Sequence, residues 1–265
     1  MHHGNFFILM WILGSTPMQA QTGAALPTSS TTVQLVANEW CPQHCEKNHE
    51  YRGYIIEIVV AAFAAEGITT QISYMPWLRA MHEVKKGNFD GLLTPTVVGY
   101  PQFLFGREAV GYQEYCFYTK KDSQWKFSSY KDLLRRRMSY LKDSGLGRME
   151  EFVHQNRNQI SVFEFAGSAG FTRKIFDFLA DDRTDAIIIT SDVYSYSLKN
   201  NLIRDDFREA GCLGKEKLGV GFSMKQLKRT QSIADSLDRG MHKLRDSQQL
   251  HKILERYGMK PWSQD

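Results

Sequence analysis

Two cysteines and two histidines crowd the stretch NEWCPQHCEKNHEYRGY, residues 38–54: Cys41, His44, Cys45 and His49. Thiolates and imidazoles at this density are what a structural zinc site uses, but the spacing departs from the finger pattern and no hairpin and helix follow in finger order. A Cys-x-x-Cys redox pair is missed by one residue. In an exported chain the default for such a pair is a disulfide. A bond between Cys41 and Cys45 would hold Glu39 and Trp40 rigid, with a metal site and free thiols as the alternatives. Cys116 and Cys212 are either a second bonded pair or two buried small hydrophobes.

The other chemically useful side chains fall where strands are expected to end. Trp40 and Trp77 offer flat faces to an apolar or cationic ligand, or else close the top of a core. Arg79 lies in the first turn of a helix, where the dipole disfavours a cation unless an anion is near. A ligand anion, Glu39 or a plain surface ion pair would each satisfy it. Thr94 and Thr96 flank Pro95 and present hydroxyls to a polar head group. In KDSGLG, Ser144 and Gly145 precede a helix whose first N–H groups suit an anion or carbonyl, although Asp143 or Ser144 equally makes a helix cap. FAGSAG is a second small-residue loop of this kind. Asp192 and Tyr194 suit an amine or hydroxyl, with capping as the plainer use of Asp192. No carboxylate pair or nucleophile constellation marks a catalytic centre, and no cofactor signature is present; Glu39 or Asp192 would be the acid if one were needed.

The elements that position these groups alternate along the chain. VQLVAN is β-rich; in GYIIEIVVAAFAAEG, residues Ile55, Ile58, Val59, Ala62 and Phe63 recur at helical spacing up to a stop at Gly67. TTQISYM reads as a strand, PWLRAMHEVKKG as a helix opened by Pro76 and closed by Gly87, and FDGLLTPT as a strand. The same βαβαβ order returns in RMSYLK, GRMEEFVHQNR, ISVFEF, SAGFTRKIFDFLADD and TDAIIIT, sharing topology and not residues. QEYCFYTKKDSQWKF and EKLGVGFSMK are β-rich connectors, and two helices close the chain. The spacing predicts an α/β fold of two doubly wound lobes joined by two hinge strands, lobe one at 26–118 and 219–265 and lobe two at 119–218. Ligands of parallel sheets bind beyond the carboxyl ends of the strands. Residues 38–41, 74–79 and 94–98 are therefore expected to face 142–147, 165–169 and 190–194 across a cleft.

The order of these motifs, with a Pro-Trp-Leu-Arg-Ala box from Pro76 to Ala80, a later YTKKDS, RTDAIII and a closing GVGFSMK, resembles the extracellular solute-binding proteins of family 3. The resemblance covers roughly residues 32–262. It implies the type II periplasmic-binding fold, a discontinuous first lobe and closure on a small solute, with an inner-membrane ABC permease as partner. Amino-acid receptors of that family carry an arginine shortly after the third strand, paired with the ligand α-carboxylate. Here the region reads LLTPTVVGYPQFLF and the place falls near Pro101 or Gln102. Arg79 or Arg107 would have to substitute, or the ligand lacks that carboxylate, because a buried carboxylate without a cation costs several kcal/mol.

The apolar run from Phe6 to Leu13 is too short to span a bilayer, which takes about 20 residues, but suits the core of a secretory signal. Residues 1–25 are read as that signal, and the mature chain as periplasmic. A formal charge of +4 is small for 265 residues, and the basic runs LLRRRM and KQLKR lack interleaved aromatics, so nucleic acid is not an expected partner. The expected function is a monomeric binding protein for a small polar solute. A dehydratase-like enzyme on the same scaffold and a ligand sensor uncoupled from transport are the rival readings.

Overall fold

The computed structural model describes residues 1–3, 31–45, 51–142, 144–166 and 170–262. Most of the segment read as an export signal, His49, Asp143 and loop residues 167–169 lie outside the described residues.

β1 (Thr32–Ala37), β2 (Thr69–Tyr74) and β3 (Gly91–Thr96) run parallel, connected by α1 (Tyr54–Ala64) and α2 (Trp77–Lys86). The sequence of α1, YIIEIVVAAFA, is apolar nearly all round, and the helix is buried accordingly, from Tyr54 to Phe63. α2 stops where Gly87 adopts the left-handed conformation, at φ 86°. β4 (Gly111–Lys120) then leads to β5 (Arg137–Leu141), β6 (Ser161–Phe165) and β7 (Ala186–Thr190), again parallel, with α3 (Arg148–Gln155) and α4 (Phe171–Ala180) between them and α5 (Ser191–Lys199) directly after. β8 (Phe207–Phe222) returns to the first set, and α6 (Leu227–Asp246) and α7 (Gln249–Arg256) share an apolar cluster with α1. α2 covers the opposite face of β1 and β3, while α3 covers one side of the second strand set and α4 and α5 the other.

All eight strands form one hydrogen-bonded order, β2-β1-β3-β8-β4-β7-β5-β6, and not the separate twin sheets that two βαβαβ runs imply. The cause is the reach of the connecting strands. β8 pairs with β3 at its end and with β4 at its start, and β4 also pairs with β7. These three pairings are antiparallel, so the parallel strands of one half run opposite to those of the other.

That reversal aims the two sets of strand tips at each other. Thr96, ending β3, is in register with Leu218, and Leu218 with Gly111 of β4. Thr190, ending β7, is in register with Tyr115 of the same strand. Four residues of β4 thus separate the tips, about 13 Å at 3.3 Å per residue.

Candidate functional site between the strand tips

The loop after β1 is folded tightly. Cys41 and Cys45 form a disulfide, and Trp40 and His44 exchange both backbone hydrogen bonds, at 2.8 and 3.0 Å. The loop seats on the start of α1, where the N–H groups of Tyr54 and Ile55 donate to the carbonyls of Pro42 and Gln43. Gly53 makes this approach possible: its φ is 104°, and a Cβ there would lie 2.4 Å from the Gln43 carbonyl oxygen.

From this loop His44 turns inward. Its Nε2 is 2.9 Å from Thr94 Oγ1 and its Nδ1 is 3.1 Å from the Asn38 carbonyl. Burial lowers its pKa to about 4, only partly opposed by the bond to Asn38, so the ring is neutral at physiological pH. Thr94 itself sits at φ 60°, rare for a β-branched residue. The buried imidazole thus helps hold the β3 tip in an unusual conformation.

Neighbouring side chains reach the opposite half. Gln43 Nε2 donates to Asp192 Oδ2 at 3.0 Å and the Tyr54 hydroxyl donates to the same oxygen at 3.2 Å, while the Val193 N–H donates to Oδ1 at 2.8 Å. Desolvation raises the pKa of the buried Asp192 carboxyl, and these hydrogen bonds oppose the rise. The Trp40 ring stacks on Phe171 of α4 at 6.2 Å. Glu39, exposed at the lip, faces α5 and adds to the effect of burial in raising the Tyr196 phenol.

A second set of contacts closes the other side. Trp77 meets Tyr100 edge-on at 5.6 Å, and Tyr100 lies so close to Gly145 that a Cβ there would be 2.9 Å from the phenol oxygen. The Tyr115 hydroxyl donates to the Ser144 carbonyl at 3.1 Å. Ser144 Oγ is buried and has no hydrogen-bond partner among the described residues.

The structure therefore brings Trp40, Trp77, Thr94, Ser144, Gly145 and Asp192 to the junction of the two halves. Thr96 is also there, buried, its hydroxyl accepting the Gly99 N–H at 3.2 Å. Arg79 is exposed and stands two positions beyond Trp77, about 200° around the helix at 100° per residue. Tyr194 packs into the second half, stacked on Tyr118 at 4.1 Å with its hydroxyl on the Phe207 carbonyl at 3.0 Å. Arg107 is bound to Asp238 of α6 at 3.7 Å, with its side chain 90% exposed. Gln43, Tyr54, Tyr100 and Tyr115 complete the junction and were not among the residues singled out from sequence; His44, weighed there as a metal ligand, joins them as a hydrogen-bonded neutral imidazole. Cys116 and Cys212 are disulfide-bonded across β4 and β8, at the second half's end of the crossing.

Neither a protein-family model nor a curated protein matches the sequence. Solved structures do match the fold. An ancestral arginine-binding protein bound to arginine shares 15% identity at TM-score 0.68, over 85% of this chain and 97% of that one. A histidine kinase sensor domain with similarity to periplasmic binding proteins shares 15% at 0.69, over 88% and 99%. An ancestral amino-acid-binding protein, a precursor of cyclohexadienyl dehydratase, shares 17% at 0.64, over 85% and 95%. The chain has the fold of the family 3 solute-binding proteins, as its motifs implied.

Proposed function

We propose that this chain is an exported solute receptor whose halves close on a small polar ligand between the strand tips and pass it to an inner-membrane ABC permease. The observation that carries the reading is the register of β4, which sets the ends of β3 and β7 about four residues apart and facing each other. Ligand-binding scaffolds with this fold are the structural neighbours, and among the described residues no helix is long and apolar enough to cross a membrane. Closure would occur by bending at β4 and β8, and ligand affinity would come from contacts made only when the halves meet.

The ligand we infer is neutral or amine-bearing. The side chains at the junction are aromatic, hydroxyl-bearing, amide or acidic, with one neutral imidazole; Arg107 is bound to Asp238 and Arg79 is exposed on α2. The test is a thermal-shift screen of polyamines, amino acids, short peptides and small organic acids. Amines or neutral polar solutes should raise the melting temperature of the wild type and fail to do so for Trp77→Ala. A best response to an organic acid, abolished by Arg79→Ala, would overturn both the site and the ligand class. Turnover of a stabilising compound would instead make the chain a dehydratase-like lyase, with Asp192 as the acid. Binding without effect on uptake in a deletion strain would make it a sensor.

A further inference from the structure

The far edge of the sheet carries a second surface. β6 is hydrogen-bonded to β5 alone and ends the strand order. Ser161 N–H donates to Arg136 and the Phe165 carbonyl accepts from Lys142, so residues 161, 163 and 165 turn their backbone groups toward β5. By alternation the N–H and C=O groups of Val162 and Glu164 face outward. Edge strands are commonly blunted by proline, charges or a bulge; SVFEF has no proline and no bulge, and a single charge at Glu164.

Both faces of this edge are grooved. On the α4 side a cavity of ≈ 310 Å³ is bounded by the rings of Phe163, Phe165 and Phe178 and by two bases and two acids, Lys174, Arg183, Asp177 and Asp181, and on the other a cavity of ≈ 290 Å³ by Arg157, Ile160, Val162 and Glu164. Phe163 is 48% exposed, its ring 4.8 Å from Phe165 and 4.7 Å from Phe178. An added strand would satisfy the outward backbone groups and send alternate side chains into the two grooves.

We propose that the occupant is a second copy of this chain, with the two β6 strands antiparallel about a two-fold axis at Phe163. That axis sets Val162 opposite Glu164 of the partner subunit, where each exchanges both backbone hydrogen bonds. It also sets Phe163 against Phe163 of the partner subunit, on the face that already holds an aromatic groove. Charge argues for self-pairing over an unrelated peptide. The second groove carries one base and one acid, Arg157 and Glu164, now only 3.8 Å apart at the surface. The two-fold axis sets Glu164 of the partner subunit opposite Val162, on the face that carries Arg157, so the mixed-sign set of one subunit meets its own copy and can exchange ion-pair partners across the axis. This assembly departs from the monomer expected from sequence and is independent of the proposed solute site.

Sedimentation velocity of the full chain, from about 1 to 100 μM, tests it, because a small two-strand interface is expected at the weak end of specific association. The wild type should double in mass across that range. Val162→Pro removes an outward donor and leaves the β5 ladder intact, and Phe163→Lys opposes like charges at the axis; both should stay monomeric with unchanged circular dichroism. Glu164→Arg should weaken association at least tenfold, and adding Arg157→Glu should restore it. A wild type that is monomeric throughout, or a Val162→Pro chain that associates like the wild type, overturns the proposal. If the proline variant does not fold, the exposed Phe163→Lys decides.

Discussion

Gln43→Glu is the sharpest perturbation of closure that the structure offers. Gln43 Nε2 is 3.0 Å from Asp192 Oδ2, so the substitution places a second carboxyl against a buried first one. Replacing Gln43 by Ala removes one donor from the Asp192 carboxyl, a bond of about 0.5–3 kcal/mol, which is roughly a 2- to 150-fold shift between closed and open forms. Glutamate adds repulsion to that loss, since two carboxylates this close cannot both ionise. Tyr54 and Val193 still donate to Asp192, so α5 keeps its start. The sign with pH follows from proton counting. The closed form holds a shared proton that the open form releases, so closure of Gln43→Glu should be recovered below the ordinary carboxylate range and lost as pH rises. Small-angle scattering reports the opening as a larger radius of gyration. The fluorescence of Trp40, which stacks on Phe171 across the junction, reports it independently. Gln71→Glu on exposed β2 is the charge-matched control. A Gln43→Glu chain with the wild-type radius at both pH 4 and pH 8, or one equally open at both, would refute the cross-half role of Asp192.

Two further outcomes follow from groups around the junction. Cys116–Cys212 spans a sequence separation of 96 and Cys41–Cys45 one of 4, so in the chain-entropy model their removal costs about 4.7 and about 2 kcal/mol; urea unfolding of the two double-alanine variants should preserve that order, and a reversed order would exclude it. His44, with its pKa lowered to about 4, binds a proton in the unfolded chain before it does in the folded one. Stability should therefore fall as pH drops from 6.5 toward 4, by at most about 3 kcal/mol, and His44→Gln should lack that slope in urea titrations across the window.

Much of the fold could be read from sequence because its signals are local. The helical spacing from Ile55 to Phe63, Gly87 as a stop and the runs AIIIT and GLLTPT each state their element in a few residues. The single sheet could not be read this way. It depends on β8 extending back to Phe207 through FREAGCLGK, a charged and glycine-interrupted stretch that becomes a strand because β4 supplies its ladder. Among the residues at the junction, Trp40, Trp77, Thr94 and Asp192 lie where the strand-end rule expects them. Gln43 and Tyr54 were not, since a glutamine in a loop and a tyrosine at a helix start look like solvent-facing and core residues until a partner 149 or 138 positions away is known. Tyr194 obeyed the same rule and yet faces the core, because the first turn of α5 points one side chain at the junction and the one two positions on away from it.

The charge of the junction bears on what can enter it. Asp192 is half-buried, and the donors on it include Gln43, Tyr54 and the Val193 N–H of its own helix N-terminus, none of them a cation. A ligand carboxylate brought beside it would set a second acidic group in a desolvated space, whereas an amine would bring it a donor and a counter-charge. The aromatic faces of Trp77 and Tyr100 favour the same choice, since a ring attracts a cation to its face and offers nothing comparable to an anion. A sequence with proline and glutamine where amino-acid receptors of this fold carry arginine, a carboxylate held by neutral donors and an aromatic pair at the tip are therefore mutually consistent. Arginine introduced at Gln102 should convert the preference, giving a larger thermal response to carboxylates than the natural chain shows in the same screen.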